Sequence, residues 1–224
     1  MAKKSQHRQG RKPRQYEVKK PQANSYLIVT EGEKTEPYYF IGLVKEIKKF
    51  VGGNMSVIEA PRVDINGEGR STLNLVNHTD EIINRAKIIY QHVWVVFDKD
   101  DFVDFDEAIA LAEEKGYKVA WSNESFEYWV YLHFDYSDKP RNRFQWFREL
   151  NHLFDRLNLG NGHYKKNYKN LYTMLDNHDG INIAIKNAKR RMKKFDPGQD
   201  SPSAYNPGTT VHLLVEELKQ YLEE

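Results

Sequence analysis

Two apolar runs, Tyr26-Leu27-Ile28-Val29-Thr30 and Val93-Trp94-Val95-Val96-Phe97, are the segments that most restrict the fold. Each is too short for a buried helix and rich in β-branched and aromatic residues, so each reads as a buried strand. Each also stops abruptly in acids: Glu31-Gly32-Glu33 after the first, Asp98-Lys99-Asp100-Asp101 after the second. In open α/β sheets, ligands collect beyond the carboxyl ends of parallel strands. Glu31, Asp98 and Asp100 are therefore expected to converge on one divalent cation.

The segments between and beyond these runs alternate. Thr35-Glu36-Pro37 reads as a helix start, with Thr as cap, an acid in the first turn and an early Pro. That helix is expected to run to about Phe50, burying Tyr39, Phe40, Leu43, Val44 and Ile47, and to stop at Gly52-Gly53. A strand is predicted over Ser56–Ala60, then an irregular, mobile stretch over Pro61–Arg70. A long helix follows from Ser71 or Thr72 to Tyr90, on a stripe of Leu73, Val76, Ile82, Ile83, Ala86 and Tyr90. After the second acidic strand come a helix near 104–115 ended by Gly116, a strand over Tyr117–Trp121, and a helix capped by Ser122-Asn123. Strands alternating with helices argue for a doubly wound, mainly parallel sheet flanked by helices. From Pro140 onward only helices are expected, near 143–157, 166–177, 180–194 and 209–222. The chain thus divides into a basic tail (1–24), an α/β domain (25–135) and a helical C-terminal appendage packed on it (136–224).

Composition narrows the chemistry. With no cysteine in 224 residues, disulfides, thiolate metal sites and cysteine nucleophiles are excluded. This fits a cytoplasmic setting. There is no apolar run of about eighteen residues and no signal-peptide pattern, so a membrane partner is not expected. The net charge of +2 conceals an asymmetry. Residues 1–24 carry eight Lys or Arg against one acid, Glu17, so this tail is +7 and the remainder −5. Such a tail is too polar to bury a core of its own and suits either nucleic-acid phosphates or simple solvation.

Glu127 is expected in the first turn of its helix, aimed at the strand ends or merely complementing the helix dipole. His133, between Leu132 and Phe134, is a candidate for proton transfer or phosphate contact, against a reading as a core histidine. Lys165, Lys166 and Lys169 interleave with Tyr164 and Tyr168. With Arg190 and Arg191 on the next helix they suit phosphate contact and base stacking, against ordinary solvated helix faces. Gly67-Glu68-Gly69-Arg70-Ser71 lacks the Gly-Lys-Ser/Thr of a phosphate-binding loop.

The acidic turns also carry a resemblance. Val29-Thr30-Glu31-Gly32, followed after a later strand by Asp98-Lys99-Asp100, resembles the Toprim fold of topoisomerases, bacterial primases and OLD-type nucleases. Within it, the chain is similar to the RloB-like family. The matching segments are Glu31-Gly32-Glu33-Lys34-Thr35-Glu36 with Tyr39-Phe40, then Phe97-Asp98-Lys99-Asp100, Ser122-Asn123-Glu124-Ser125-Phe126-Glu127-Tyr128-Trp129 leading to Leu132-His133-Phe134, and Asn206-Pro207-Gly208-Thr209-Thr210-Val211-His212-Leu213-Leu214-Val215. The resemblance implies a metal-dependent nuclease of DNA or RNA, tRNA included, working in phage defence with an AAA-type ATPase. It makes Glu31 the general acid/base or a metal ligand, and makes Asp98 and Asp100 the ligands of Mg²⁺ or Mn²⁺. Glu36 and Glu127 then compete for a second metal or a catalytic role. Two other readings stay open: a non-catalytic module that docks nucleic acid or an ATPase, and a haloacid-dehalogenase-like phosphatase with Asp98 as nucleophile.

Overall fold

The computed structural model describes residues 19–53, 62–69 and 71–223. Most of the basic tail and the strand expected over Ser56–Ala60 lie outside the described residues. The sheet has five strands: β1 (Lys20–Thr30), β2 (Arg62–Gly67), β3 (Ile88–Asp98), β4 (Lys118–Asn123) and β5 (Gly208–Thr209). Their spatial order is β2-β1-β3-β4-β5, and only β5, against β4, is antiparallel. Helices α1 (Thr35–Gly53), α2 (Thr72–Arg85), α3 (Phe105–Glu114) and α4 (Phe126–Leu132) each follow one of the first four strands. Then come α5 (Arg143–Arg156), the short α6 (Leu171–Leu175), α7 (Gly180–Met192) and α8 (Val211–Glu223).

The apolar runs are continuous because both sheet faces are covered. Successive strand residues point to opposite faces. Leu27, Val29, Val95 and Phe97 pack with Leu75 and Val76 of α2 and Phe105 of α3. Tyr26, Ile28, Trp94 and Val96 face the other way, into a core shared with Tyr39, Phe40 and Leu43 of α1. The same core takes Trp146 and Leu150 of α5, Ala184 of α7 and Leu214 and Leu218 of α8. The C-terminal helices thus complete one layer of the sandwich, and β5 extends its sheet.

Several boundaries differ from the sequence expectation. The strand β1 reaches back to Lys20, inside the segment read as tail, and Lys20–Gln22 pair with Ile88–Tyr90 of β3. The helix expected to reach Tyr90 ends at Arg85, with Ala86 already extended. Ala86 and Tyr90 continue the i, i+4 spacing of a helical stripe, and the strand partner of Ile88–Tyr90 lies far away in sequence. The stretch read as irregular holds β2, an edge strand whose Val63 and Ile65 alone offer too little alternation to be read. α4 starts at Phe126 rather than at Asn123, which ends β4 and donates to the carbonyls of Pro202 (2.9 Å) and Ser203 (2.8 Å). Of the helix expected over 166–177 only Leu171–Leu175 is α-helical.

Candidate functional site

The connection from β1 leads outward to β2, and the next returns across β1 to β3. The order therefore reverses between β1 and β3, which makes their carboxyl ends the topological switch point. Glu31 sits there, fastened at both ends. Its backbone N–H donates to the Val96 carbonyl at 2.9 Å, and its Oε2 accepts from the Asp98 backbone N–H at 3.1 Å. The Thr30 hydroxyl donates to the Gly32 carbonyl at 2.8 Å and tightens the turn.

Gly32 lets Glu36 reach the same place. A Cβ on Gly32 would collide with the Glu36 carboxyl, which folds back from the first turn of α1 and is buried. The loop after β2 closes this side. Gly69 N–H donates to the Glu31 carbonyl at 2.8 Å, and a Cβ on Gly67 would come within 2.8 Å of the Gly32 carbonyl. The glycines read as a mobile loop are fitted to the acidic turn.

Glu127 comes from the far side, in the first turn of α4, and is buried. Its Oε1 accepts from the Tyr164 hydroxyl at 3.3 Å and lies 3.1 Å from Lys166 Nζ. Glu31, Glu36, Glu127 and Lys166 line one cavity of about 280 Å³. Asp98 stands within electrostatic reach of all three glutamates.

Desolvation and mutual repulsion shape the acids. Glu31 is pushed up to about 7, first by desolvation and then by Glu36, Asp100 and Asp104, against the Asp98 N–H. Glu36 is also pushed up to about 7, by burial and by Glu127, with Lys166 opposing. Asp98 keeps a partial opening to solvent, yet its carboxyl is held well above the usual range by desolvation, Glu36, Glu31 and Glu127. Lys166 is shifted upward by Glu127, Asp98 and Glu36, which outweigh its own desolvation. Clustered carboxylates of this kind need protons or a cation.

Asp100 lies within electrostatic reach of Glu31 and is held by a cation. Its backbone has φ +38° and donates to the Glu124 carbonyl at 3.0 Å, while its carboxylate pairs with Arg143. Its expected convergence with Asp98 on one ion would require the carboxylate to leave or share Arg143. His133 is buried in the core. Its Nε2 lies 3.2 Å from the Tyr39 hydroxyl and its Nδ1 2.9 Å from the Trp129 carbonyl. Burial pushes it down to about 4, which favours the neutral imidazole.

Of the basic candidates, Lys166 belongs to the acidic cavity, and Lys165 and Lys169 are exposed nearby in sequence. Arg190 lies over the Tyr136 ring, 3.7 Å from its centroid. Arg191 bonds the Pro207 carbonyl (2.7 Å) and the Tyr205 hydroxyl (2.5 Å), which ties α7 to the 205–207 loop. Arg143 was not among the candidates. No spacing links it to Asp100; only the tertiary fold does.

The hard carboxylate oxygens of Glu31, Glu36, Asp98 and Glu127 fit a divalent cation such as Mg²⁺. Among the described residues, no group of three His, Asp or Glu side chains is already arranged to hold one. No described helix is long and apolar enough to cross a membrane.

Fold and site together define an α/β protein with an acidic crevice at the switch point of a mostly parallel sheet. The chain belongs to the RloB-like protein family, whose model matches residues 26–218. No curated protein and no solved structure matches it.

Proposed function

We propose that the chain is a Toprim-type nuclease, dependent on Mg²⁺ or Mn²⁺, that hydrolyses phosphodiester bonds of DNA or RNA. The observation that carries this reading is the meeting of Glu31, Glu36, Asp98 and Glu127 at the switch point, with the cations Lys166 and Arg143 on the rim. Glu31 and Asp98 would hold the ion, with Glu36 and Glu127 as further oxygen donors. When bound, such an ion polarises the phosphate and stabilises charge on the leaving oxygen. The chain's own groups supply the rest. Glu31 and Glu36 are raised to about 7 without a metal, and whichever of the two does not hold the ion would suit general acid or base work. Lys166 and Arg143 attract the phosphate, and Tyr164 orients Glu127. Family resemblance adds a cytoplasmic role in phage defence and an AAA-type ATPase partner that carries the nucleotide hydrolysis.

Purified protein is expected to cut nucleic acid with Mg²⁺ or Mn²⁺. Glu31→Gln and Asp98→Asn should each lower cleavage by at least about a hundredfold while the circular dichroism spectrum is kept. Cleavage that survives both substitutions would assign the chemistry elsewhere.

A second reading, a nucleic-acid-binding module without hydrolysis, is supported by the cations Arg143 and Lys166 beside the exposed Phe144. Tight nucleic-acid binding without calorimetric uptake of Mg²⁺ or Mn²⁺ would select it.

A further inference from the structure

A second cavity, of about 320 Å³, is lined by Arg143, Phe144, Phe147 and Lys166. Lys166 lines the acidic cavity as well. Each cation lines this cavity and pairs with an acid: Lys166 with Glu127 of α4 and Arg143 with Asp100 of the turn after β3. The aromatic walls differ in how firmly they are held. Phe147 is partly buried against Tyr164, with ring centroids 5.4 Å apart, and Tyr164 donates to Glu127. Phe144 is 71% exposed, and its ring lies 5.0 Å from the Arg143 guanidinium carbon. An aromatic ring held open to water beside two cations is an incomplete contact.

We propose that this cavity seats one unpaired nucleobase of a nucleic-acid strand. Phe144 gives the base a stacking face, and Arg143 and Lys166 meet the adjoining phosphate as it enters the acidic crevice. The proposal rests on the nucleic-acid reading above and deepens it. A nucleotide supplies a π-face for Phe144 and an anion for the two cations together. A base within a duplex has both faces covered by its neighbours and must leave the stack to reach Phe144. The preferred substrate is thus single-stranded or locally opened.

The test is fluorescence anisotropy of the full chain with a labelled oligonucleotide in single-stranded, duplex and abasic forms, as DNA and as RNA. Calcium replaces magnesium, so that binding is read separately from cleavage. Wild-type protein is expected to bind the single strand more tightly than the duplex or the abasic strand. Phe144→Ala should weaken single-strand binding between about fivefold and about a hundredfold, leave the abasic strand unchanged, and be rescued by Phe144→Tyr. An undiminished Phe144→Ala, or an equal loss on the abasic strand, would overturn the base-seating role, as would a wild-type chain that binds no single strand. Cleavage by a Phe144→Ala protein of normal affinity would discard this cavity and keep the nuclease. Base-dependent binding without cleavage would do the reverse.

Discussion

Glu31 is fixed by the strands on either side of it, so its carboxyl cannot swing away from Glu36 and Asp98 to relieve repulsion. That gives a signed dependence on pH. Glu31 and Glu36 bind a proton more readily in the fold, up to about 7, than as free side chains near 4.5. The stability their protonated forms contribute is fully present below about 4.5 and is lost as pH rises towards 7. Each pH unit in that window weakens the fold by at most about 1.4 kcal/mol per group. In metal-free buffer the melting temperature should fall between pH 5 and pH 8. Glu31→Gln, which keeps the shape and removes the charge, should raise it by a few degrees at pH 8. A melting temperature that is flat across this range, or unmoved by Glu31→Gln, would mean that the acids are relieved by means other than protons.

Helix α5 carries Arg143, Phe144 and Phe147, and its start is fixed by a reciprocal pair. Asn142 Oδ1 accepts from the Gln145 backbone N–H at 2.9 Å, and Gln145 Oε1 accepts from the Asn142 N–H at 2.8 Å. Asn142→Ala should cost about 1 kcal/mol in a denaturant titration. It should also loosen the Arg143–Asp100 pair more than the buried end of the helix. How readable each element is from sequence depends on where its partners lie. Tyr26–Thr30, Val93–Phe97 and the Tyr39–Ile47 stripe declare themselves because burial on their faces fixes their residue types locally. Arg62–Gly67 does not, since an edge strand with two apolar residues looks like a loop. Gly208–Thr209 is too short to show any period. At the site, Glu31 and Asp98 were legible as acids ending buried strands, and Glu127 as an acid opening a helix. The pairs Arg143–Asp100 and Lys166–Glu127 were not, because each joins residues that only the tertiary fold brings together.

One core spans both halves of the chain. Tyr26, Ile28, Tyr39 and Phe40 lean on Trp146, Leu150, Leu214 and Leu218, so on this face of the sheet the segment over 25–135 is left uncovered in part without the later helices. Asn123 and β5 bind the other edge of the sheet to residues 202–209. A fragment ending at residue 135 is therefore expected to lose cooperative unfolding and to bind hydrophobic dyes. A sharp thermal transition in that fragment would show that the α/β half stands alone.

The pairing of acids from the first half with cations from the second also has a meaning in time. A ribosome releases Glu31, Glu36, Asp98 and Glu127 well before Arg143 and Lys166. Until the later residues emerge, the nascent crevice holds four acids and neither counter-charge, beneath a core whose outer layer has not been made. A chain abandoned midway is consequently unfinished at its site as well as in its fold.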